Sequence, residues 1–308
     1  MKIGFENQYA GYEKSLVMSV LRQIAGDRLE ITVANKADLV IIGPFTPRKH
    51  SRIKRILRTL RGQPPAPSPV PSSSALRLFH TSENVRHNAV DADYALSFDL
   101  DVASERHFRL PLWMESIDWS HEGISNTPNP RVARLLSIAQ LMQPLGRSIL
   151  ERPRRAALFT SHLNHPRRAL FDALSKIMPT KGYGRGFDRS IAGHNESGFA
   201  KDVLLRDFAV NLCPENALHP GYYTEKIAEA YGAGCLPVSW ADPDVRVDFN
   251  PAAFVNALDF AETGYEAGLR QSLTPESMAA YAEQPLLLEK SHIEPLVEFL
   301  KTVLADAR

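Results

Sequence analysis

The chain has 308 residues, too many for one typical core and about right for two domains of roughly 150 residues each. The formal net charge of +1 gives no global attraction to nucleic acid, and the 44% hydrophobic content is ordinary for a globular protein. Two cysteines cannot build a disulfide framework, and no metal-ligand spacing, signal peptide or membrane-spanning apolar stretch is evident. These features predict a cytoplasmic protein whose thiols, Cys213 and Cys235, are buried and free.

The first half of the sequence alternates strand-like and helix-like runs. Strand patterns occur at residues 2–6, 37–45, 75–81 and 93–99. Residues 15–26 have the spacing of an amphipathic helix. The Pro- and Ser-rich stretch 62–74 is unsuited to packing and predicts a surface loop within the first domain.

A basic segment, residues 48–61, contains no acidic residue. Its basic residues are Arg48, Lys49, Arg52, Lys54, Arg55, Arg58 and Arg61. One interpretation is a packed helix whose basic face is solvated, because Ile and Leu residues supply an apolar face. The other is contact with anionic lipid or lipopolysaccharide, which would make the protein peripheral to the inner membrane. The segment lacks interleaved aromatic residues, so no nucleic-acid partner is predicted.

The second half of the sequence repeats the alternation of strands and helices. Strand patterns occur at residues 155–161, 208–215 and 235–240, with helical patterns between them. Two successive βα series predict an α/β fold with two doubly wound domains, residues 1–148 and 149–308. Residues 291–307 have the pattern of a terminal helix, a candidate to pack back on the first domain.

The most informative stretch is 208–240, FAVNLCPENALHPGYYTEKIAEAYGAGCLPVSW. It reads as a strand, a polar loop, a short helix and a second strand, and open α/β sheets bind ligands just beyond the carboxyl ends of their strands. Thr224 is a good N-cap, and Lys226 adds a positive charge to a helix N-terminus, which already favours anions. Taken alone, TEK is more typical of a capped surface helix.

The strings CPEN and GYYTEKIAEAY resemble the donor-site motif of the bacterial α-1,3/α-1,4-fucosyltransferases, which use GDP-fucose. The resemblance implies a GDP-fucose pocket formed by Glu215, Asn216, Tyr222, Thr224, Glu225 and Lys226. In such a pocket Lys226 would contact phosphate, and Glu225 would contact ribose or fucose hydroxyls. Asn216 and Tyr222 would orient the sugar and the phosphates.

The same resemblance adds three residues to the predicted donor site. Arg167 begins a predicted helix in a context similar to the family's NxxxxRxxFxxxL, and its guanidinium suits phosphate oxygens; the alternative is a solvated helix start. The run KGYGRGF loosely resembles the family's glycine-rich turn, and this resemblance places Arg185 in the predicted donor site. Asn250, in DFNPAAFVNALDF, would cap a turn near the nucleotide; the alternative is a proline-bounded turn that leads into a strand.

Glu83 is the candidate general base. Taken alone, SEN after a strand is more typical of a turn. However, TSEN resembles the family's TGEN motif, and the runs DYALSFD and RHFRLPLW follow it as DYAIGFD and RYLRLPLY do in the family. The resemblance implies that Glu83 takes the proton from the acceptor hydroxyl, and Ser82 stands where the family has glycine.

The resemblance extends over residues 75–260 and implies a GT-B fold, in which two Rossmann-like domains face a central cleft. The implied reaction is inverting transfer of L-fucose from GDP-fucose to a hydroxyl, O3, of N-acetylglucosamine or glucose in an oligosaccharide. An N-acetyllactosamine-like glycan or a lipid-linked glycan is the implied acceptor, with no metal or other cofactor. Two alternatives stay open: a transferase for another GDP-deoxysugar, and a non-catalytic glycan- or nucleotide-sugar-binding protein.

Overall fold

The computed structural model describes residues 1–45, 75–129, 131–132, 134–187 and 201–307. The basic segment 48–61 and the Pro- and Ser-rich stretch 62–74 lie outside these described residues. Among the residues that are described, no helix has both the length and the apolar character needed to cross a lipid bilayer.

The chain divides into two compact units. The first unit comprises Met1–Leu110, Gly123–Ser125 and Ile293–Arg308, and the second comprises Pro111–Glu122 and Asn126–His292. Most of residues 111–148 therefore folds with the second unit, although the sequence pattern placed this segment in the first domain. The C-terminal residues return to the first unit.

Contacts between residues far apart in sequence explain why the segment 111–148 belongs to the second unit. The ring of Trp113 packs against Phe249 with 5.4 Å between centroids. The side-chain Nε2 of Gln140 donates a hydrogen bond of 2.8 Å to the carbonyl oxygen of Gly232. The boundary after residue 148 was predicted from a break in the local hydrophobic pattern. Such a break carries no information about contacts between distant residues.

The first unit contains a parallel sheet in the order β2-β1-β3-β4-β5-β6. Its strands are β1 (Lys2–Glu6), β2 (Glu30–Ile31), β3 (Leu39–Ile42), β4 (Leu76–His80), β5 (Tyr94–Ser97) and β6 (His107–Arg109). Strands β3 and β5 are buried at every position, as expected of parallel strands covered on both faces. The strand order reverses between β1 and β3, which is the topological switch point of this sheet.

The second unit contains another parallel sheet, in the order β11-β10-β9-β7-β8. Its strands are β7 (Ala156–Phe159), β8 (Thr180–Tyr183), β9 (Val210–Leu212), β10 (Leu236–Ser239) and β11 (Val255–Asn256). Here the order reverses between β7 and β9. Residues that follow these two strands therefore meet at the edge where doubly wound sheets bind their ligands.

The helices of the described residues accompany these sheets. They are α1 (Leu16–Ala25), α2 (Ile138–Leu141), α3 (Ser148–Glu151), α4 (Arg167–Ser175), α5 (Lys201–Leu205), α6 (Glu225–Gly232), α7 (Tyr265–Ser272), α8 (Pro275–Ala282) and α9 (Glu294–Asp306). The side chain of Ser15 caps α1 by accepting from the N–H of Met18 at 3.2 Å. Helix α9 contacts α1, and Asp306 near its end accepts a 2.6 Å hydrogen bond from Tyr94.

The two cysteines are free and buried, as the sequence predicted. Cys213 follows β9 directly, and Cys235 precedes β10. Burial raises the pKa of each thiol to about 12, so both are protonated and unreactive at neutral pH.

Candidate functional site

Glu215 organises the loop between β9 and α6. Its backbone N–H donates to the carbonyl of Trp240 at 3.1 Å, which fixes the loop to the end of β10. The residue is 1% exposed, and its Oε1 accepts a 2.8 Å hydrogen bond from the N–H of Thr224. Its Oε2 lies 2.8 Å from the hydroxyl of Thr224 and 3.1 Å from Nζ of Lys226. Glu215 is thus a buried support for the start of α6.

Thr224 occupies the N-cap position of α6, as the sequence predicted, but its side chain does not cap the helix. Its hydroxyl instead donates to Glu215 and accepts from Nζ of Lys226 at 2.7 Å. The hydroxyl therefore leaves the N–H groups of the first turn to other acceptors. An uncapped helix N-terminus is a suitable place for a phosphate group.

Lys226, in the first turn of α6, lies between the carboxylates of Glu215 and Glu225. Its Nζ lies 3.1 Å from Glu215 and 3.7 Å from Glu225. Burial lowers the pKa of Lys226, but these two carboxylates outweigh it and raise the pKa above its ordinary value. Burial raises the pKa of Glu225, but the charges of Lys226 and Lys201 outweigh it and lower that pKa. Lys226 and Glu225 are therefore both charged at neutral pH.

Arg167 is the first residue of α4 and lies beyond the end of β7, at the switch point of the second sheet. It is 5% exposed, and its guanidinium donates to the side-chain oxygen of Asn216, which follows β9. Its Nη1 also lies 2.9 Å from Nδ1 of His162. Burial and the nearby Arg167 lower the pKa of His162, so the imidazole is neutral at neutral pH. Two neutral groups thus orient the guanidinium.

Arg167 is attracted by the charge of Glu215 without being ion-paired to it. Within the part of the chain that the structure describes, no carboxylate forms an ion pair with it. Burial lowers the pKa of Arg167, and the acidic groups of Glu215 and Tyr222 oppose this effect. A buried guanidinium without a carboxylate partner is suited to an anion such as phosphate.

Of the other predicted donor residues, Tyr222 and Arg185 lie at the same edge of the sheet. Tyr222 is 2% exposed and stands just ahead of α6. Arg185 is exposed on the turn after β8. This turn needs glycine at Gly184, whose φ is +88° and where a Cβ would lie 2.6 Å from the carbonyl oxygen of Thr160. The turn is thereby held against the chain that follows β7.

Asn250 caps a turn, as the sequence predicted, and its place near the nucleotide stays a prediction. Its Oδ1 accepts a 3.1 Å hydrogen bond from the N–H of Ala252 and so caps a 3-10 turn at Pro251–Ala253. Its Nδ2 donates to the carbonyl oxygen of Pro285 at 2.9 Å. Both polar ends of this side chain are therefore bound within the protein.

The structure adds two residues that the sequence did not indicate. His162 lies just after a strand pattern, a place that was a signal for the ligand-binding edge. Lys201 is 8% exposed and pairs with Glu229 at 2.8 Å, one turn beyond Glu225 on α6. The spacing of the two glutamates was visible in the sequence, but their distant lysine partner was not.

Glu83 lies in the first unit, on the loop that follows β4. The hydroxyl of Thr81 donates to the carbonyl oxygen of Glu83 at 2.7 Å and accepts from its N–H at 3.1 Å. The residue is half-buried. This local turn fixes the backbone of Glu83 at the carboxyl edge of the first sheet.

Two doubly wound parallel sheets, the second with buried cations at its switch point, give the chain the GT-B fold class. A family model described as "Glycosyltransferase family 10 (fucosyltransferase) C-term" matches residues 149–278. A second, "Alpha-(1,3)-fucosyltransferase FucT N-terminal domain", matches residues 71–115. Both matches are to fucosyltransferase models, which confirms the resemblance that the sequence motifs indicated. The first match contains the predicted donor residues, and the second contains Glu83.

Individual relatives agree with the family models. The chain is 33% identical over 203 residues to the alpha-(1,3)-fucosyltransferase FucT of Helicobacter pylori, a match that covers 61% of this chain and 42% of that protein. It thus spans less than half the length of this curated relative. A crystal structure of an alpha1,3-fucosyltransferase with GDP-fucose has a TM-score of 0.65 and 25% identity, covering 99% of this chain and 90% of that chain. A structure titled with GDP gives a TM-score of 0.64 at 24% identity.

Proposed function

We propose that this chain transfers L-fucose from GDP-fucose, with inversion, to O3 of an N-acetylglucosamine or glucose residue in an oligosaccharide. The observation that carries the proposal is the arrangement at the switch point of the second sheet. There, buried Arg167 and carboxylate-held Lys226 stand beside the N-terminus of α6. The similarity to an alpha1,3-fucosyltransferase that was crystallised with GDP-fucose supports the choice of donor.

The site is suited to the diphosphate of such a donor. In the proposal, Arg167, Lys226 and the first-turn N–H groups of α6 bind its oxygens and balance the negative charge that grows on GDP as the sugar leaves. These groups are held in place before the ligand arrives, because Glu215, Asn216 and His162 fix them. Glu225 and Tyr222 are assigned to the ribose or fucose hydroxyls and to sugar orientation.

Glu83 is assigned as the general base. It takes the proton of the acceptor hydroxyl while that oxygen forms a bond to C1 of fucose. The bond between C1 and the donor phosphate oxygen breaks at the same time, and GDP leaves with the electron pair. Attack on the face opposite GDP converts a β-linked donor into an α-linked product. Because arginine, lysine and a helix terminus balance the charge on GDP, the proposed mechanism uses no metal.

The acceptor and the cellular setting complete the proposal. An N-acetyllactosamine-like glycan or a lipid-linked glycan is the proposed acceptor, and the protein is proposed to act in the cytoplasm, peripheral to the inner membrane. The membrane contact is assigned to the basic segment 48–61, which lies outside the described residues.

The test is GDP release from GDP-fucose by the purified chain, with and without N-acetyllactosamine. The proposal expects release that depends on the acceptor. Release with GDP-mannose but not with GDP-fucose would instead favour a different GDP-sugar. Calorimetric binding of GDP-fucose without release on any glycan of an acceptor panel would favour a non-catalytic nucleotide-sugar-binding protein.

A further inference from the structure

The loop that carries Glu83 needs an anchor beyond its first residues. Residues 81–93 join β4 to β5 and form neither helix nor strand. The turn made by Thr81 fixes only the backbone of Glu83 itself. An irregular connection of this length depends on specific contacts to hold one conformation.

Asp99, just after β5, supplies such contacts. It is 1% exposed, and its Oδ2 accepts a 2.7 Å hydrogen bond from the main-chain N–H of His87. The same oxygen lies 2.9 Å from Nδ1 of the His87 ring and 2.8 Å from the hydroxyl of Ser97. Its other oxygen forms an ion pair with Nε of Arg86. One buried carboxylate thus holds two consecutive residues of the loop.

The carboxylate of Asp99 is charged, and its surroundings are built to keep it so. Burial raises its pKa, but the hydrogen bonds from His87 and Ser97 and the charge of Arg86 outweigh burial and lower the pKa below its ordinary value. His107, whose Nε2 lies 2.8 Å from the Ser97 hydroxyl, encloses the cluster from β6. A buried anion with all its partners on one loop and the adjacent strands is a strong anchor.

We propose that Asp99 is a positioning residue for Glu83, which it fixes by anchoring the loop at Arg86 and His87. The inference rests on the proposed function, since it assumes that Glu83 is the base. A general base works only within hydrogen-bond reach of the proton that it takes, and a displacement of about 1 Å can cost about 100-fold in rate. The anchored residues lie only three and four positions after Glu83, close enough to set its place.

The test compares Asp99→Asn with a control at an exposed carboxylate, Asp38→Asn. Asp38 also accepts a backbone hydrogen bond, from the N–H of Lys2 at 2.7 Å, but at the opposite edge of the same sheet. We expect Asp99→Asn to lower kcat about 10- to 100-fold, with KM for both substrates nearly unchanged, and to speed amide exchange at residues 83–88. Asp38→Asn is expected to leave kcat and this exchange as they are. Equal kcat in both variants, or unchanged exchange at these amides, would overturn the proposal.

A double variant separates positioning from general structural damage. If Asp99 acts through Glu83, then Glu83→Gln/Asp99→Asn is no slower than Glu83→Gln alone. An additional loss of the size seen for Asp99→Asn would refute the inference while leaving the base assignment intact. Full activity of Glu83→Gln would refute the base assignment itself. If Asp99→Asn does not fold, His87→Ala serves the same cycle, with a smaller loss of kcat expected.

Discussion

The two carboxyl edges of this protein hold their functional groups in different ways. In the second unit, Lys226 stands at a helix start and is supported by Glu215 and Thr224, its neighbours along the same stretch. In the first unit, Glu83 stands on an irregular loop whose main support is Asp99, on the next strand. A charge that binds phosphate can be fixed by one short motif, whereas a base on a loop depends on residues elsewhere in the sheet.

The sharpest test of this contrast is Glu83→Gln, because it removes the proposed base and keeps the shape of the side chain. General base catalysis typically contributes about 100- to 10,000-fold, so kcat is expected to fall within that range. GDP affinity, measured by calorimetry, should be unchanged because Glu83 belongs to the other unit. Loss of both GDP affinity and activity would contradict the assignment of the base to the first unit and of GDP binding to the second.

Lys226→Met is expected to have the next largest effect. The change removes the positive charge beside α6 and leaves the buried carboxylate of Glu215 without its lysine. We expect kcat/KM for GDP-fucose to fall about 100- to 1,000-fold, the range found when one preorganised charge-stabilising donor is lost.

The matched control for Lys226 is Lys176→Met, since Lys176 pairs with Glu266 at 2.9 Å on the surface of the same unit, with 65% of its side chain exposed. Exposed pairs of this kind contribute little because solvent screens them, so this variant should keep both activity and stability. Similar kinetics for the two lysine variants would contradict the donor-site assignment.

Thr224→Val should have a moderate effect, because it keeps the size of the side chain but removes the hydroxyl that links Glu215 to Lys226. An unsatisfied buried group costs about 1–3 kcal/mol, which predicts about 10-fold weaker GDP binding and a lower Tm. Thr302→Val, at a surface hydroxyl on α9 that bonds the carbonyl of Glu298 at 3.3 Å, is the control. Calorimetry and thermal unfolding measure both quantities.

The smallest predicted effect is the pH dependence that comes from His162. Because its pKa is lowered in the folded state, the neutral imidazole is favoured there. Its contribution to stability is complete above the unfolded pKa and is lost as pH falls through the folded pKa. Protonation would also place a second cation beside Arg167, and a second cation favours an anion, so GDP binding should strengthen as pH falls through the lowered pKa of His162, by no more than about tenfold.

His162→Asn isolates this contribution, since the amide stays neutral throughout the titration. The change in GDP affinity with pH should be smaller in this variant than in the unaltered chain. An identical pH profile for both proteins would mean that the imidazole does not govern the guanidinium of Arg167.

The sequence predicted those parts of the protein that local pattern determines. The βα alternation gave the doubly wound sheets, and the helix start at Thr224 to Lys226 was placed correctly. The pattern did not reveal that the hydroxyl of Thr224 binds Glu215 instead of capping the helix. That choice depends on the buried carboxylate of Glu215, which lies nine residues earlier in the same loop.

Tertiary contacts also explain the remaining differences. Residues 111–148 fold with the second unit because partners such as Phe249 and Gly232, distant in sequence, hold them there. The pairing of Lys201 with Glu229 joins positions separated by 28 residues. No periodicity in the chain reports contacts of this kind.

The buried thiol of Cys213 gives this protein a built-in reporter. It stands two residues before Glu215, and its high pKa and its burial protect it from alkylation in the closed, folded state. The rate at which an alkylating reagent modifies Cys213 therefore measures how often the ligand-binding edge of the second unit opens. A nucleotide that holds this edge closed would slow the modification, so occupancy could be followed by mass spectrometry without labelling the sugar.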